Sequence, residues 1–354
     1  MKILFGIPVR IHREIAEAEV MAFKKLGVRV ETSFYGNSNN VKGIIQRFIL
    51  ILKNAINLKK KLERQKSDIV YLNSAFDSKT LIRDSISIFI IRLFNKRVKI
   101  VLKTHGTIKS VVYSKSMLEK YVFNNTDLLL VLSKEEQNNF HKVFKEKNKV
   151  QITANPIDFV DFKTDPSFKH KLKITEETIV LLFSGRFLEQ KGILDLIQAC
   201  KIVNEKSICF KLICLGNGPL FDLSKQLADE LHLKNKIEFL GHIAEEKTQY
   251  YYANCDVTIL PSYREGFPMA IFQSVAAGKP VITTRINACA DYFKEYENCL
   301  WVETKNPSDL AEKIITLAKN NELRDTMGMN NLKLAQRFTS FNIVGNLNKE
   351  FKNF

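Results

Sequence analysis

Residues 261–280 bring together the side chains best placed to do chemistry. Pro261-Ser-Tyr-Arg-Glu265-Gly266-Phe267-Pro268-Met269-Ala270 leads into an apolar segment that carries Gln273 and closes at Gly278. The run reads as a strand end, a loop holding an acid, and a helix. Pro268 suits a first helical turn, where its missing N–H costs nothing, and Gly278 suits a helix C-terminus, where a positive φ is useful. The first-turn N–H groups, from Phe267 to Ala270, have no intrahelical acceptor, and with the helix dipole they favour a phosphate. Glu265 and Gln273 are eight residues apart, about 80° around a helix of 3.6 residues per turn, so both can address one ligand from one side. A bland strand–loop–helix unit explains the Pro and Gly but not the acid in the loop. A second group is Phe183-Ser-Gly185-Arg186-Phe-Leu-Glu189-Gln-Lys191-Gly192. Arg186 lies just past a strand and Lys191 just before a helix. A planar fork and a point charge there suit a diphosphate and can stabilise charge growing on a departing one. Alone, such a pair of cations is more often a solubility feature; beside a helix N-terminus that also seeks an anion, it points to the diphosphate.

The elements that must position these groups alternate between strand and helix. In the first half, strands are predicted at Lys2–Ile7, Val28–Tyr35, Ile69–Leu72, Lys99–Thr104, Leu128–Leu132 and Lys149–Ile152, with a helix at 14–26 between the first two. The turn-rich stretch Thr153–Asp158 follows. A second series has strands at 178–184, 210–215, 237–240, 257–260 and 280–283, with helices at 192–204, 220–231, 247–253, 269–277, 307–320 and 322–337. Such alternation calls for parallel sheets covered on both faces. The predicted fold class is α/β, two doubly wound, Rossmann-like domains facing a cleft at the carboxyl ends of their strands. The expected domains are 1–165 and 166–335, with 336–354 a helix packing back toward the first.

Together these motifs resemble the retaining glycosyltransferases of family 4, which have the GT-B architecture, and the resemblance extends along the whole chain. Arg186 and Lys191 sit where that family has its diphosphate-binding Arg and Lys, and Glu265 to Gln273 overlies its glutamate-x7-glutamate motif. Leu215-Gly216-Asn-Gly218-Pro219, Gly241-His242 and Thr104-His105-Gly106 look like further family segments. The resemblance implies a catalytic set of His105, Glu265, Arg186 and Lys191. It implies a donor-binding set of Gly6, Arg186, Lys191, Gly216, His242, Glu265, Gly266, Phe267, Pro268, Met269, Ala270 and Gln273. Two departures stand out. Gln273 replaces the second glutamate, which in the family holds the nucleotide ribose, and so supplies hydrogen bonds without charge. The loop after the first strand is Gly6-Ile-Pro-Val-Arg10-Ile-His12 rather than paired glycines, which implies an acceptor pocket of its own shape. His105 directly follows a strand, and the resemblance implies that it contacts a donor-sugar hydroxyl rather than acting as a general base.

Composition narrows the alternatives. The chain has 354 residues, 45% hydrophobic and 26% charged, with a formal charge of +16. Residues 1–165 hold 30 basic and 16 acidic side chains against 24 and 22 in 166–354, so the excess is concentrated in the first half. An anionic partner or a Lys-rich background would each account for it. Val41–Lys66 contains eight cations and one acid, with Ile44, Ile45, Phe48, Ile49, Leu52, Ile56 and Leu62 at helical spacing. It reads either as a membrane-surface helix or as a core-facing helix with a solvated Lys face. The six cysteines form no C-x-x-C pair and read as small buried hydrophobes in a reducing compartment. No apolar run reaches transmembrane length, and Ile3–Val9, broken by Arg10, reads as a strand rather than a leader. The expected location is cytoplasmic, with peripheral membrane contact as an extension. No D-x-D occurs, so a nucleotide sugar is expected as co-substrate with no metal or other cofactor. The expected acceptor is a saccharide or a lipid-linked one. A nucleotide-sugar epimerase of the same fold is the alternative. A nucleic-acid binder has only the charge in its favour, and Phe221 breaks a nicotinamide-type glycine fingerprint at 216–221.

Overall fold

A computed structural model describes residues 1–8, 12–36, 43–105, 117–144, 149–158 and 162–354. Asn37, Gly106, the Val9-Arg10-Ile11 part of the first loop and the first two residues of Val41–Lys66 lie outside the described residues. The chain forms two compact units, Met1–Asp158 with Phe338–Phe354, and Phe159–Arg337. The observed division thus precedes the expected one at residue 165. The cause is local: the Asp165 N–H donates to Asn254 Oδ1 at 2.6 Å, Asn254 Nδ2 donates to the Lys163 carbonyl at 3.2 Å, and Tyr250 Oη donates to Asp165 Oδ2 at 2.6 Å. These bonds bind the 163–165 segment to the second unit.

Each unit is built on a six-stranded parallel sheet. In the first, β1 (Lys2–Pro8), β2 (Arg29–Tyr35), β3 (Ile69–Ser74), β4 (Lys99–Thr104), β5 (Leu128–Val131) and β6 (Val150–Ile152) are arranged β2-β1-β3-β4-β5-β6. In the second, β7 (Ile179–Ser184), β8 (Phe210–Leu215), β9 (Ile237–Gly241), β10 (Val257–Leu260), β11 (Val281–Thr283) and β12 (Cys299–Trp301) are arranged β12-β11-β10-β7-β8-β9. The predicted α/β class with two doubly wound parallel sheets is the one observed. Strands such as β7, Ile-Val-Leu-Leu-Phe-Ser, are apolar on both faces because helices cover both. The elements of the second unit that escaped the sequence reading include the short edge strand β12 and the helices Phe168–Lys171 and Asn287–Tyr292. All are too short to show a period. The terminal helix is Ser340–Phe351, and its Phe351 ring stacks on Phe23 of the helix Arg13–Lys25 at 5.8 Å. Of the six cysteines, all free, five are buried and Cys209 is exposed. No described helix is long and apolar enough to cross a membrane.

Among the described residues, the core of the first unit contains one fully buried ion pair. Lys103, on β4, places Nζ 2.6 Å from Glu19 Oε1 and 3.1 Å from the Ala154 carbonyl, and neither charged side chain reaches solvent. Burial pushes the Glu19 carboxyl up and the Lys103 ammonium down, and each partner opposes the shift in the other. Removing one partner strands the other charge. Lys103→Met is therefore expected to destabilise the first unit by about 3–5 kcal/mol, and Lys103→Met with Glu19→Leu to recover most of that loss, as read from urea unfolding midpoints.

Candidate functional site

In the second unit the strand order reverses between β7 and β10, the first and fourth strands of its series, which are paired in parallel through Val257–Leu181 and Thr258–Leu182. Connections leaving their carboxyl ends diverge to opposite faces, and such switch points are where doubly wound sheets bind ligands. Both sequence-predicted groups fall there. Arg186 follows β7 and is exposed. Lys191 ends a single 3-10 turn, Glu189–Lys191. Glu265 lies in the loop after β10, buried, and its Oε1 accepts from Lys191 Nζ and, at 2.7 Å, from Ser262 Oγ. The Glu265 carbonyl accepts from Asn287 Nδ2.

The two loops are tied together as well as juxtaposed. The Tyr263 N–H donates to the Gln190 carbonyl at 2.8 Å, and Tyr263 Oη donates to Asp195 Oδ2 at 2.6 Å. Gly192, at φ 67°, lies so close to this corner that a Cβ there would stand 2.3 Å from the Pro261 carbonyl oxygen. Gly216, at φ 122°, has the same role one strand over: a Cβ would come within 1.9 Å of the Gly185 carbonyl oxygen. At both positions glycine is required by conformation and by space. The Gly216 N–H donates to the Gly241 carbonyl, which places the exposed His242 at the end of β9.

Gly266, Phe267 and Pro268 are buried and enter the helix Met269–Ala276, of which Pro268 is the N-cap. The Phe267 ring stacks on Phe272 at 3.8 Å, fixing the entry. Met269 and Ala270 open the helix half-buried, and Gln273 sits in its second turn, also half-buried. The loop acid, two cations and a helix N-terminus therefore share one switch point, an arrangement that can bind and neutralise a diphosphate.

His105 and Gly6 belong to the first unit. His105 directly follows β4 and is buried; Gly6 lies inside β1, paired with Ser33 on β2. They are joined through Asn73 at the end of β3, whose Nδ2 donates to the Gly6 carbonyl at 3.1 Å and whose Oδ1 lies 2.6 Å from His105 Nε2. His12 stacks on His105 with centroids 4.5 Å apart and planes 14° from parallel. Sequence reasoning missed Asn73, His12 and the Lys103–Glu19 pair nearby. A signal was present for three of them. Asn73 interrupts the apolar run of β3, Lys103 does so in β4, and Glu19 falls among Ile15, Ala16, Val20 and Phe23 on the buried face of its helix.

Comparison with known proteins separates the two units. Residues 164–334, nearly all of the second unit, match the family described as "Glycosyl transferases group 1". The second unit carries the match to group 1 glycosyltransferases. N-acetyl-alpha-D-glucosaminyl L-malate synthase of Bacillus anthracis is 29% identical over 243 residues, covering 67% of this chain and 63% of that enzyme. The N,N'-diacetylbacillosaminyl-diphospho-undecaprenol alpha-1,3-N-acetylgalactosaminyltransferase of Campylobacter jejuni is 28% identical over 173 residues, 49% of this chain and 44% of that one. The chain thus spans under two thirds of the length of these curated relatives. Anabaena Alr3699/HepE, solved with UDP and glucose, is similar in fold over 100% of both chains, with a TM-score of 0.77 at 19% identity. The tandem of doubly wound units has the GT-B fold, and the region matched by the group 1 family carries the Lys191–Glu265 corner.

The imidazoles of the first unit have a pH consequence. Burial, reinforced by the Lys103 cation, lowers the His12 pKa from its ordinary 6.5 to about 4 and drives that of His105 down in the same direction. Between pH 6.5 and 4 the unfolded chain binds protons that the folded one does not, so stability falls as pH falls through that window. His12 has φ 64°, a conformation that Asn tolerates. From pH 7 to pH 4 the wild type is expected to lose on the order of 3 kcal/mol more stability than His12→Asn, measured by urea unfolding at each pH.

Proposed function

We propose that the chain is a retaining glycosyltransferase that moves a hexosyl unit from a nucleotide sugar to a saccharide or lipid-linked acceptor in cell-surface polysaccharide synthesis, without a metal. The observation that carries this reading is the Lys191–Glu265 pair beside the exposed Arg186 and a helix N-terminus, at the switch point of a group 1 domain. The N–H groups at Met269 and Ala270 receive the nucleotide diphosphate. Arg186 and Lys191 neutralise it as the bond from the anomeric carbon to the diphosphate oxygen breaks, the part Mg²⁺ plays elsewhere. Glu265, already oriented by Lys191 and Ser262, addresses the sugar hydroxyls. Gln273 bonds the ribose without charge, Gly216 and His242 complete the donor loops, and His105 meets a sugar hydroxyl. The acceptor oxygen bonds the same face of the anomeric carbon, and its proton passes to the departing diphosphate. The undecaprenol diphosphate in the name of the Campylobacter relative supports a lipid-linked acceptor.

A peripheral membrane location, on the cytoplasmic face, belongs to the same proposal. The helix Ile44–Gln65 buries Ile51, Ala55, Leu58 and Leu62 against its own unit. It leaves a second apolar face in solvent: Ile44 is 84% exposed, Ile45 76%, and Phe48, Ile49, Leu52 and Ile56 follow. Arg47, Lys53, Lys60, Lys61 and Arg64 are exposed on the same helix. An ordinary core-facing helix has only one apolar face, and the second, flanked by cations, fits an anionic lipid surface.

With a nucleotide-sugar donor, acceptor and EDTA present, Lys191→Ala and Glu265→Ala are each expected to lower kcat about 100-fold or more while the fold is retained, with Lys191→Ala, which strands the buried Glu265 carboxylate, also lowering the melting temperature. Near-normal turnover by either contradicts the roles, wild-type activity that needs Mg²⁺ contradicts the metal-independent step, and donor conversion without acceptor identifies an epimerase. In vesicle flotation the wild type is expected to bind phosphatidylglycerol membranes and not phosphatidylcholine, and Ile45→Ser with Ile49→Ser to weaken binding at least tenfold. Equal binding to both lipids, or none, counts against the membrane contact.

A further inference from the structure

The second unit holds a cavity outside the Lys191–Glu265 corner, at the carboxyl ends of β11 and β12. It encloses about 440 Å³, within the range of small-molecule sites, and Arg285, Trp301, Glu303, Asn306, Asp309 and Lys313 line it. Trp301 is the one tryptophan of the chain, half-buried at the end of the edge strand β12. Among the described residues its ring is stacked on no other ring and covered by no cation. The polar groups beside it are mostly committed to one another. Asp309 Oδ2 accepts from the Glu303 N–H at 2.8 Å, and Asp309 Oδ1 lies 3.5 Å from Lys313 Nζ. Asn306 Nδ2 donates to Glu303 Oε2 at 3.2 Å, and Asn306 Oδ1 accepts from the Asp309 N–H at 3.1 Å. Left over are Glu303 Oε1 and the exposed Arg285 guanidinium, neither of which has a hydrogen bond or ion pair among the described residues. The rim thus offers an acceptor and a set of donors beside an aromatic face.

Two walls of the cavity are fastened to the loop that carries Glu265. Beside Arg285, Thr284 Oγ1 donates to the Ser262 carbonyl at 2.6 Å. Between Glu303 and Asn306, Lys305 places Nζ 5.2 Å from the centroid of the Tyr263 ring, and Tyr263 is itself bonded to Gln190 and Asp195. The cavity is therefore anchored to the corner without sharing a side chain with it.

We propose that this cavity is a second carbohydrate subsite, in which a pyranose ring lies on Trp301 and its hydroxyls bond Glu303 Oε1 and Arg285. A sugar presents C–H groups on one face and hydroxyls that both donate and accept at its edge, which matches an aromatic platform with a mixed polar rim. Two cations and two acids balance around the cavity, so its charge does not select a strong anion. Phosphate is disfavoured further at the helix Pro307–Lys319, whose first turn is already capped by Asn306 and holds the Asp309 carboxylate. A wholly apolar ligand would bury the rim without hydrogen bonds. That the bound sugar is a non-reacting residue of the acceptor or product chain rests on the glycosyl-transfer reading above; saccharide binding at Trp301 does not.

With a single tryptophan, the emission of the full chain reports this cavity directly. Titration with maltotriose, mannotriose and tri-N-acetylchitotriose is expected to give a saturable change for at least one of them, while UDP and GDP alone give none. By saturation-transfer NMR, Trp301→Ala and Arg285→Ala are each expected to weaken that saccharide about tenfold or more, and Trp301→Phe, which keeps an aromatic face, by about threefold at most. Arg285 is exposed, so its variant decides the matter if Trp301→Ala does not fold. With the same saccharide as acceptor, Arg285→Ala is expected to raise the acceptor KM and leave the donor KM near the wild type's. Silence from all three saccharides overturns the subsite. So does a response to UDP or GDP alone, or binding that both Trp301→Ala and Arg285→Ala leave intact. A saccharide that binds at Trp301 in a chain that transfers no sugar counts against the transferase reading instead and leaves the subsite standing.

Discussion

Everything in the second unit that bears on chemistry depends on β7 and β10 lying side by side. The two strands are separated in the chain by two strand–helix units, so the segments leaving them diverge and open a gap at their carboxyl ends. The gap is narrow enough to be governed by backbone contacts. Tyr263 is hydrogen-bonded to Gln190, Gly192 passes beneath Pro261, and Gly216 passes beneath Gly185. With the loops so tightly joined, a buried carboxylate at Glu265 and an ammonium at Lys191 are brought into contact from positions 74 residues apart. The cost of burying that carboxylate is offset by Lys191 and the Ser262 hydroxyl.

The two units solve the same problem with different means. The second meets its loops with charge and with helix N–H groups. The first places at its switch point a chain of neutral hydrogen-bonding groups, Gly6, Asn73 and His105, and sets beside it an ion pair sealed from solvent. The sealed pair fixes the position of β4 against the helix Arg13–Lys25. The basic excess of the first half is carried largely at the surface, where the helix Ile44–Gln65 leaves Arg47, Lys53, Lys60, Lys61 and Arg64 exposed.

What the sequence made legible follows from locality. Glu265, Arg186 and Lys191 were readable because strand, loop and helix signals lie within ten residues of each, and the predicted strands agree with the observed ones to within about two residues, where assignment itself is loose. Lys103 and Glu19 are 84 residues apart, and only their misfit with apolar neighbours hints that each has a partner. Asn73 likewise bonds partners far from it in the chain, the Gly6 carbonyl and His105. The helix Ser78–Phe94 was unread for another reason. Leu81, Ile88 and Ile91 are buried while Ile82, Phe89, Leu93 and Phe94 are exposed, so apolar residues surround the helix and its period is weak. Arg186 was read correctly as following a strand, but nothing in its neighbours indicated that it would be solvent-exposed while Lys191 is half-buried.

The terminal helix Ser340–Phe351 has a consequence for the order in which the protein is made. Its Phe351 lies against Phe23 and Tyr71, at 5.8 and 6.2 Å, and it belongs to the unit whose other elements are made before the Phe159–Arg337 unit. The intervening Phe159–Arg337 unit is contiguous and can fold as it leaves the ribosome. The earlier unit must wait with the aromatic faces of Phe23 and Tyr71 uncovered until the later one has been completed, which inverts the usual sequence in which an N-terminal domain is finished first.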